Sequence, residues 1–216
     1  KGVNGAIHQA LLSDGRLFVV TLDGEIHCLG KTKAKAKVHE PEPGRKVVVK
    51  KDALVSEIIQ KTNFNKGYGL VLGMSEKWLS LVQSSSAQLV GSGKPATIDA
   101  LRGKLDKHGF TADRVSLFAG NGSELDFPRY FASLIVVEES SGVNWSRRSL
   151  TKVFSSLRPY GGSLCVPGSA EYRKAFRTAV KASKLPGASL SEGNGFTLLK
   201  KEGALPGSTN YLGEWA

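Results

Sequence analysis

The chain has 216 residues, 40% of them hydrophobic, and a formal net charge of +11. This length allows one domain or one domain with a small companion, and the hydrophobic content suffices for a buried core. No apolar run approaches the roughly 20 residues of a transmembrane helix, so we expect no membrane span. No secretory signal opens the chain. Strand-like sequence begins almost at residue 1, and we expect the chain to be a piece of a longer protein.

The positive charge raises the question of an anionic partner. The clearest basic cluster is Lys31–Lys37, where lysine alternates with threonine and alanine. Aromatic residues do not interleave with this cluster, so it lacks side chains for stacking on bases, and we expect no nucleic-acid partner. The four histidines and two cysteines show no metal-ligand spacing, and we expect no metal site.

The first 30 residues predict three short antiparallel strands. Asp14-Gly15 and Asp23-Gly24 are turn signals between strand-like runs at 6–12, 16–21 and 25–29. A meander this small cannot bury its own faces, which favours a place in a larger sheet. Cys28, in the third run, has the apolar neighbours of a buried strand cysteine.

Residues 51–202 predict strands that alternate with helices. Residues 31–50, with Pro41 and Pro43, are interpreted as a basic linker, and Asp52 is a predicted helix N-cap. Alternation of this kind gives a mostly parallel sheet with helices on both faces, an α/β fold. An antiparallel pair is expected at the end. The predicted strands are at 68–72, 88–91, 114–119, 132–137, 163–166 and 196–200, the last pairing with a strand near Ser189.

Four segments carry a resemblance to a known family. They read GYGLVLG from Gly67, RVSLFAGNG from Arg114, FPRYFASLIVVEE from Phe127 and LRPYGGSLCV from Leu157. In order and spacing they resemble the Rossmann-like fold of class I methyltransferases that use S-adenosylmethionine (SAM). The resemblance covers residues 51–202, and it implies SAM as the cofactor and an unspecified small-molecule methyl acceptor.

Both flanks of this region carry a second resemblance. DGRLFVVTLDGEIHCLG from Asp14 is similar to one blade of PQQ-like β-propeller repeats, and KKEGALPGSTNYLGEWA from Lys200 resembles a return to such a propeller. This implies a methyltransferase-like insert in a bacterial, planctomycete-type propeller protein. The implied domains are a partial blade at 1–30, the linker at 31–50, the insert at 51–202 and a return segment at 203–216. The rest of the propeller would be the partner, in an extracytoplasmic (periplasmic) location.

The first turn of the α/β region is the first candidate cofactor site. Methyltransferases of this class use glycines in this turn so that the backbone can approach SAM, much as dinucleotide-binding folds do. Here the turn contains Gly73, Met74 and Ser75, followed by Lys77. Side chains at the last two of these positions narrow the space for a ligand.

Two further positions complete the expected cofactor site. Counted back from the next helix, Ser92 stands where an acid would bind both ribose hydroxyls, and serine cannot supply that charge-assisted pair. Asn121 replaces an aspartate expected near the adenine. The glycine-rich turn, the ribose-binding acid and the aspartate near the adenine are thus all altered. We therefore expect the crevice to bind SAM poorly or not at all.

Glu138 and Glu139 are the weak candidates for catalytic groups, because open α/β sheets bind ligands at the carboxyl ends of their strands. A solvated pair of turn acids is the alternative. Three functions remain open: a degenerate methyltransferase-like module with a structural or interaction role, an active SAM-dependent methyltransferase with an atypical pocket, and a basic module that binds an anionic partner.

Overall fold

The computed structural model describes residues 2–31, 50–107, 110, 113–122, 126–205 and 207–208. The chain divides into two compact units, Lys1–Glu42 and Pro43–Ala216. Most of the predicted basic linker, and residues 209–216 of the predicted return segment, lie outside the described residues. The three boundaries between the four predicted domains therefore stay predictions.

The first unit is a three-stranded antiparallel meander. Its strands, in spatial order, are β1 (Ile7–Ser13), β2 (Arg16–Thr21) and β3 (Ile26–Leu29). Asp14 and Gly15 both have positive φ, 49° and 68°, and they form the two-residue turn that joins Ser13 to Arg16. Asp-Gly favours this turn because both central residues need positive φ. The meander is thus observed, but three strands do not identify a propeller blade.

This small sheet buries little of its apolar surface. Only Val19 and Thr21 of its described residues are buried, while Leu12 and Ile26 are more than 70% exposed. Cys28 is exposed as well, so its prediction as a buried cysteine is wrong. The reason is that β3 has a partner on one side only and the meander has no second layer of its own.

The second unit is an α/β domain with a seven-stranded sheet. The spatial order is β6-β5-β4-β7-β8-β10-β9, in which β10 runs opposite in direction to the other six strands. The predicted α/β class and the closing antiparallel pair are confirmed. The strands are β4 (Tyr68–Leu72), β5 (Gln88–Gly93), β6 (Val115–Ala119), β7 (Leu134–Val137), β8 (Gly162–Pro167), β9 (Ala188–Gly193) and β10 (Phe196–Lys201).

Helices cover both faces of this sheet. They are α1 (Ala53–Thr62), α2 (Leu79–Gln83), α3 (Pro95–Lys107), α4 (Arg147–Ser156) and α5 (Ala170–Ser183), with one 3₁₀ turn at Glu76–Trp78 and another at Glu139–Ser141. Asp52 caps α1 as predicted, since its Oδ1 accepts the amide of Val55 at 3.2 Å. Ser169 caps α5 in the same way, accepting the amide of Tyr172 at 3.2 Å.

Alternate residues of the central strands contribute their side chains to two separate hydrophobic cores, one on each face of the sheet. Val71 joins the core under α1, α2 and α3, where Trp78 is fully buried. Leu70 and Leu72 join the core under α4 and α5, around Phe176. The alternation follows from the strand period of two, because β4 is covered on both faces. The carboxyl ends of the parallel strands are thereby held at one edge of the sheet.

Candidate functional site

The first turn after β4 is held tightly at the carboxyl edge. Gly73 has φ +86°, and a Cβ there would lie 2.9 Å from Cβ of Glu138 and 3.0 Å from the amide nitrogen of Ser141. Both the backbone conformation and the close approach of the loop after β7 therefore require glycine. The need for glycine here comes from packing within the protein, before any ligand is considered.

Met74 fills the space above β5. Its side chain is 2% exposed. A Cβ added to Gly91 would lie 2.8 Å from Cγ of Met74 and 3.0 Å from its Sδ, so the thioether chain rests directly on the strand. The amides of Gly73 and Met74 both donate to the carbonyl of Ser92, at 2.9 and 2.7 Å. The turn thus folds onto β5, and the Met74 side chain lies in the core under α1, α2 and α3.

Ser75 begins the 3₁₀ turn without using its hydroxyl as a cap. Its φ and ψ are −137° and 169°, an extended conformation that any residue adopts. The next turn is fixed by Lys77, whose Nζ forms an ion pair with Glu138 and lies 5.0 Å from the centre of the Trp78 ring. This pair joins the loop after β4 to the end of β7.

Ser92 lies inside β5, one residue before its end. It pairs with Leu72 across the parallel ladder and is fully buried. Its Oγ has no hydrogen-bond partner among the described residues. The residue at the end of the strand is Gly93, which has no side chain to offer a ribose. A buried hydroxyl without a partner is costly, about 1–3 kcal/mol, and it does not reproduce an exposed carboxylate.

Asn121 follows β6 and lies against the loop after β7. A Cβ on Gly142 would be 3.0 Å from both the oxygen and the nitrogen of the Asn121 side-chain amide. Gly142 has φ +74°, so glycine is favoured there by backbone and contact alike. The structure therefore brings Asn121, Gly73 and Glu138 to the same edge of the sheet, as their positions after the strands predict.

The two candidate catalytic acids both have protein partners. Glu138 pairs with Lys77. Glu139 accepts hydrogen bonds from the amide and the hydroxyl of Ser169, at 2.9 and 3.0 Å, and so anchors the start of α5. A polar cleft of about 490 Å³ lies beside them, lined by the β7 end, the β8 end and the β9–β10 turn.

SAM does not fit these residues well. The ribose of SAM calls for a carboxylate at the end of β5, and Ser92, Gly93 and Lys94 supply none. Its methionine end calls for glycines after β4, and here Gly73 is followed by Met74, Ser75 and Lys77. The cofactor roles of Gly73, Met74, Ser75, Ser92 and Asn121 stay predictions. The described residues contain no group of three or more His, Cys, Asp or Glu that could hold a metal. Within that part of the chain no helix suits a membrane span.

Comparisons with known proteins identify the fold. No family model and no curated protein matches the sequence. Among solved structures, a putative SAM-dependent methyltransferase from Methanococcus maripaludis superposes with a TM-score of 0.59 at 13% identity, covering 70% of this chain and 84% of that one. A SAM-dependent O-methyltransferase from Thermotoga maritima gives 0.56 at 10% identity, with 91% and 86% covered.

A third similar structure belongs to a different kind of methyltransferase. Precorrin-6y C5,15-methyltransferase from Geobacter metallireducens gives a TM-score of 0.54 at 11% identity, with 72% of this chain and 90% of that one covered. Likenesses at such low identity show the fold. The α/β domain therefore has the Rossmann-like fold of class I SAM-dependent methyltransferases.

Two features of the molecule were not predicted from the sequence. The first is the ion pair between Lys77 and Glu138, which joins the loop after β4 to the end of β7. The second is Lys201, which is only 7% exposed although it ends a strand. Its Nζ donates to the carbonyls of Phe154 and Leu157, at 3.3 and 3.1 Å, at the end of α4. Nothing in the local sequence distinguishes Lys201 from the exposed Lys200.

Proposed function

We propose that the chain is a methyltransferase-like module with a structural or interaction role that does not transfer methyl groups from SAM. The observation that carries the proposal is the missing ribose-binding acid: Ser92, Gly93 and Lys94 stand at the end of β5, and none of them is a carboxylate. A carboxylate at this position would accept charge-assisted hydrogen bonds from both ribose hydroxyls, and a serine hydroxyl cannot form that pair. The contacts of Met74 with Gly91 and of Lys77 with Glu138 are made within the protein and need no bound ligand.

An active SAM-dependent methyltransferase with an atypical pocket is the second candidate. It is favoured by the fold, which is shared with enzymes of that description, and by the polar cleft beside Glu138 and Glu139. In that case SAM would supply an electrophilic methyl group. This chain would then contribute only positioning by the first turn and a carboxylate at the end of β7.

Calorimetric titration with S-adenosylhomocysteine separates the two candidates. The first predicts no saturable heat at ligand concentrations up to about 1 mM, which corresponds to binding weaker than about 4 kcal/mol. Saturable one-to-one binding in the micromolar range would overturn it. In that event Glu138→Gln, which keeps the size of the side chain, tests whether the acid at the end of β7 takes part in turnover or only in packing.

The propeller context is a separate proposal. It is supported by the exposed apolar residues of the meander, since Leu12 and Ile26 need cover that the described strands of this unit do not give. The sequence that flanks this segment in its gene is the test. Further blade-like repeats on both sides support the proposal, and unrelated sequence on both sides overturns it. The extracytoplasmic location implied by the same resemblance stays a prediction.

A further inference from the structure

The amino edge of the seven-stranded sheet, opposite the crevice, carries an unusual set of side chains. Tyr68 opens β4, Tyr130 lies in the segment before β7, and Tyr160 precedes β8. The antiparallel strand β10 ends at the same edge, because Lys201 pairs with Gly162. Loops from four strands therefore meet here, where a fold of this class does not place its cofactor.

Three tyrosine rings at this edge are exposed to solvent. The exposed fractions of Tyr68, Tyr130 and Tyr160 are 42%, 43% and 67%. Contacts of neighbouring residues link the three positions. Tyr68 stacks on Phe131 with the ring centres 4.5 Å apart, and Nζ of Lys201 lies 4.9 Å from the centre of the Tyr130 ring. The amide of Gly161, next to Tyr160, donates to the carbonyl of Lys201 at 2.8 Å.

Two of these tyrosines have a strained backbone. Tyr130 and Tyr160 have φ of 61° and 55°, in the left-handed region that a bulky side chain seldom adopts. Such conformations cost about 1–3 kcal/mol and persist where surrounding contacts fix them. Here the amide of Tyr130 donates to Ser155, and that of Tyr160 donates to Gly203, each at 3.0 Å. The fold therefore holds both rings outward, although glycine would fit each position with less strain.

Cationic side chains surround the rings. Lys66, Arg129, Arg158 and Lys200 are exposed, and within the described ranges none of them has a carboxylate partner. One cleft of about 210 Å³ lies between Lys66 and Arg158. Another of about 200 Å³ lies beside Arg129 and Tyr130, and its lining also includes the exposed acid Glu202, which accepts a hydrogen bond from Ser189. The charges at this edge are thus available to an external anion.

The cationic surface continues along α4. An open groove of about 790 Å³ runs beside the helix from Arg147 to Ser155, with Arg129 on its other wall. From Arg147 to Ser155, eight steps of 1.5 Å along the helix give a groove about 12 Å long. Its charged lining consists of Arg129, Arg147, Arg148, Lys152 and Asp126. Lys152 pairs with Asp126 at 3.3 Å, and the three arginines form no ion pair with another described residue.

We propose that the amino edge and the α4 groove bind single-stranded nucleic acid. Unpaired bases would stack on Tyr130 and Tyr160, and phosphates would lie against the arginines and lysines between them. Sequence-independent binders of single strands combine these two elements, a basic track and aromatic platforms. Arginine forks suit phosphate oxygens, whereas paired bases in a duplex leave no face for the rings.

This surface differs from the basic cluster at Lys31–Lys37. That cluster has no aromatic neighbours, and the expectation that the protein has no nucleic-acid partner was drawn from it. The tyrosines of the amino edge are separated in sequence by 62 and 30 residues, so only the fold brings them together. Because the surface does not include the crevice, the inference goes beyond the proposed function and stands or falls separately from it.

Fluorescence anisotropy with a labelled oligothymidylate of 15 nucleotides tests the proposal. We expect binding whose logarithmic affinity falls with the logarithm of salt concentration, with a slope of about −0.7 for each phosphate contacted. An abasic oligomer with the same phosphates should bind about a hundredfold more weakly, because each of the two stacked bases contributes a factor of about ten. If the abasic oligomer, or polyglutamate of the same charge, binds as tightly as oligothymidylate, the proposal that bases stack on this surface is wrong.

Matched variants locate the binding. Lys66→Gln and Lys94→Gln remove the same charge from exposed positions at opposite edges of the sheet. The first should weaken binding about threefold and reduce the salt slope, and the second should leave both nearly unchanged. Tyr160→Ser should lose about tenfold while Tyr160→Phe retains affinity. Thermal melting checks that each variant is folded. Equal losses for the two lysine variants would place the ligand elsewhere and overturn the proposal.

Discussion

The two edges of the α/β sheet differ in whether their charged side chains have partners within the protein. At the carboxyl edge, Lys77 and Glu138 pair with each other, and Met74 packs on Gly91. At the amino edge, Arg129 and Arg158 have no carboxylate partners among the described residues, and tyrosine rings face solvent. The usual ligand edge of this fold is thus satisfied internally, while the opposite edge leaves charges and rings available. A shared fold therefore does not settle which edge meets a ligand.

The packing of Met74 gives the largest expected effect. Met74→Ala should lower the free energy of unfolding by about 3 kcal/mol, because it removes buried side-chain volume above β5. Met74→Leu, which conserves volume, should cost less than about 1.5 kcal/mol. Urea denaturation measures both. A cost below about 1 kcal/mol for Met74→Ala would show that the turn is loosely packed on β5, and the contrast between the edges would weaken.

Lys201 is a buried lysine at the amino edge whose ammonium binds backbone carbonyls at the end of α4. Lys201→Met should lower the free energy of unfolding by about 2 kcal/mol, since the carbonyls of Phe154 and Leu157 lose a charged donor. Lys200→Met is the matched control, because Lys200 is exposed, and it should change stability by less than about 0.5 kcal/mol. Burial lowers the pKa of the Lys201 ammonium from its usual value. Similar unfolding free energies for the two variants would show that the hydrogen bonds of Lys201 contribute nothing measurable.

Tyr172 makes the stability of the carboxyl-edge loops depend on pH. Burial raises its pKa to about 12, and its hydroxyl donates to the carbonyl of Val143 at 3.2 Å. Since the folded pKa lies above the unfolded value of about 10, stability should be fully present below pH 10 and fall between about 10 and 12. Tyr172→Phe should cost about 1 kcal/mol at neutral pH. The variant should also lose less stability between about pH 10 and 12 than the unsubstituted protein does. An equal loss in both proteins would show that other groups cause the alkaline decrease.

The ion pair between Lys77 and Glu138 gives the smallest expected effect. Its two side chains are 36% and 13% exposed, so water screens much of the attraction. Lys77→Met should cost about 0.5 kcal/mol at low salt and less at high salt. Denaturation at two salt concentrations measures the difference. A loss above about 2 kcal/mol would show that the pair, and not Met74, is the principal contact that holds the turn after β4.

Local sequence signals predicted the fold well. Asp52, Asp14-Gly15 and the apolar strand of Leu70–Leu72 each act over a few residues, so their structural roles are visible in the chain itself. Their agreement with the global fold is what makes the α/β class predictable. The predicted strand at 132–137 begins instead at Leu134, because Ala132 forms only an isolated bridge with Leu157.

The candidate site was less predictable. The positions of Gly73, Asn121 and Glu138 follow from where the strands end, and they do meet at one edge. The contact of Met74 with Gly91 and the burial of Lys201 depend on partners 17 and more than 40 residues away. Such tertiary contacts leave no local pattern. The tyrosines of the amino edge are spread over 93 residues, from Tyr68 to Tyr160, for the same reason.

The position of β10 has a consequence for synthesis. This strand follows β9 in sequence, but it lies between β8 and β9 in the sheet, and Phe196, Leu198 and Leu199 fill both cores. While a ribosome is still making residues 196–201, β8 therefore has an unpaired edge and both cores lack part of their packing. Exposed strand edges in nascent chains invite pairing with other chains. The sheet and both cores are therefore complete only after its inner, late-made strand has been synthesised.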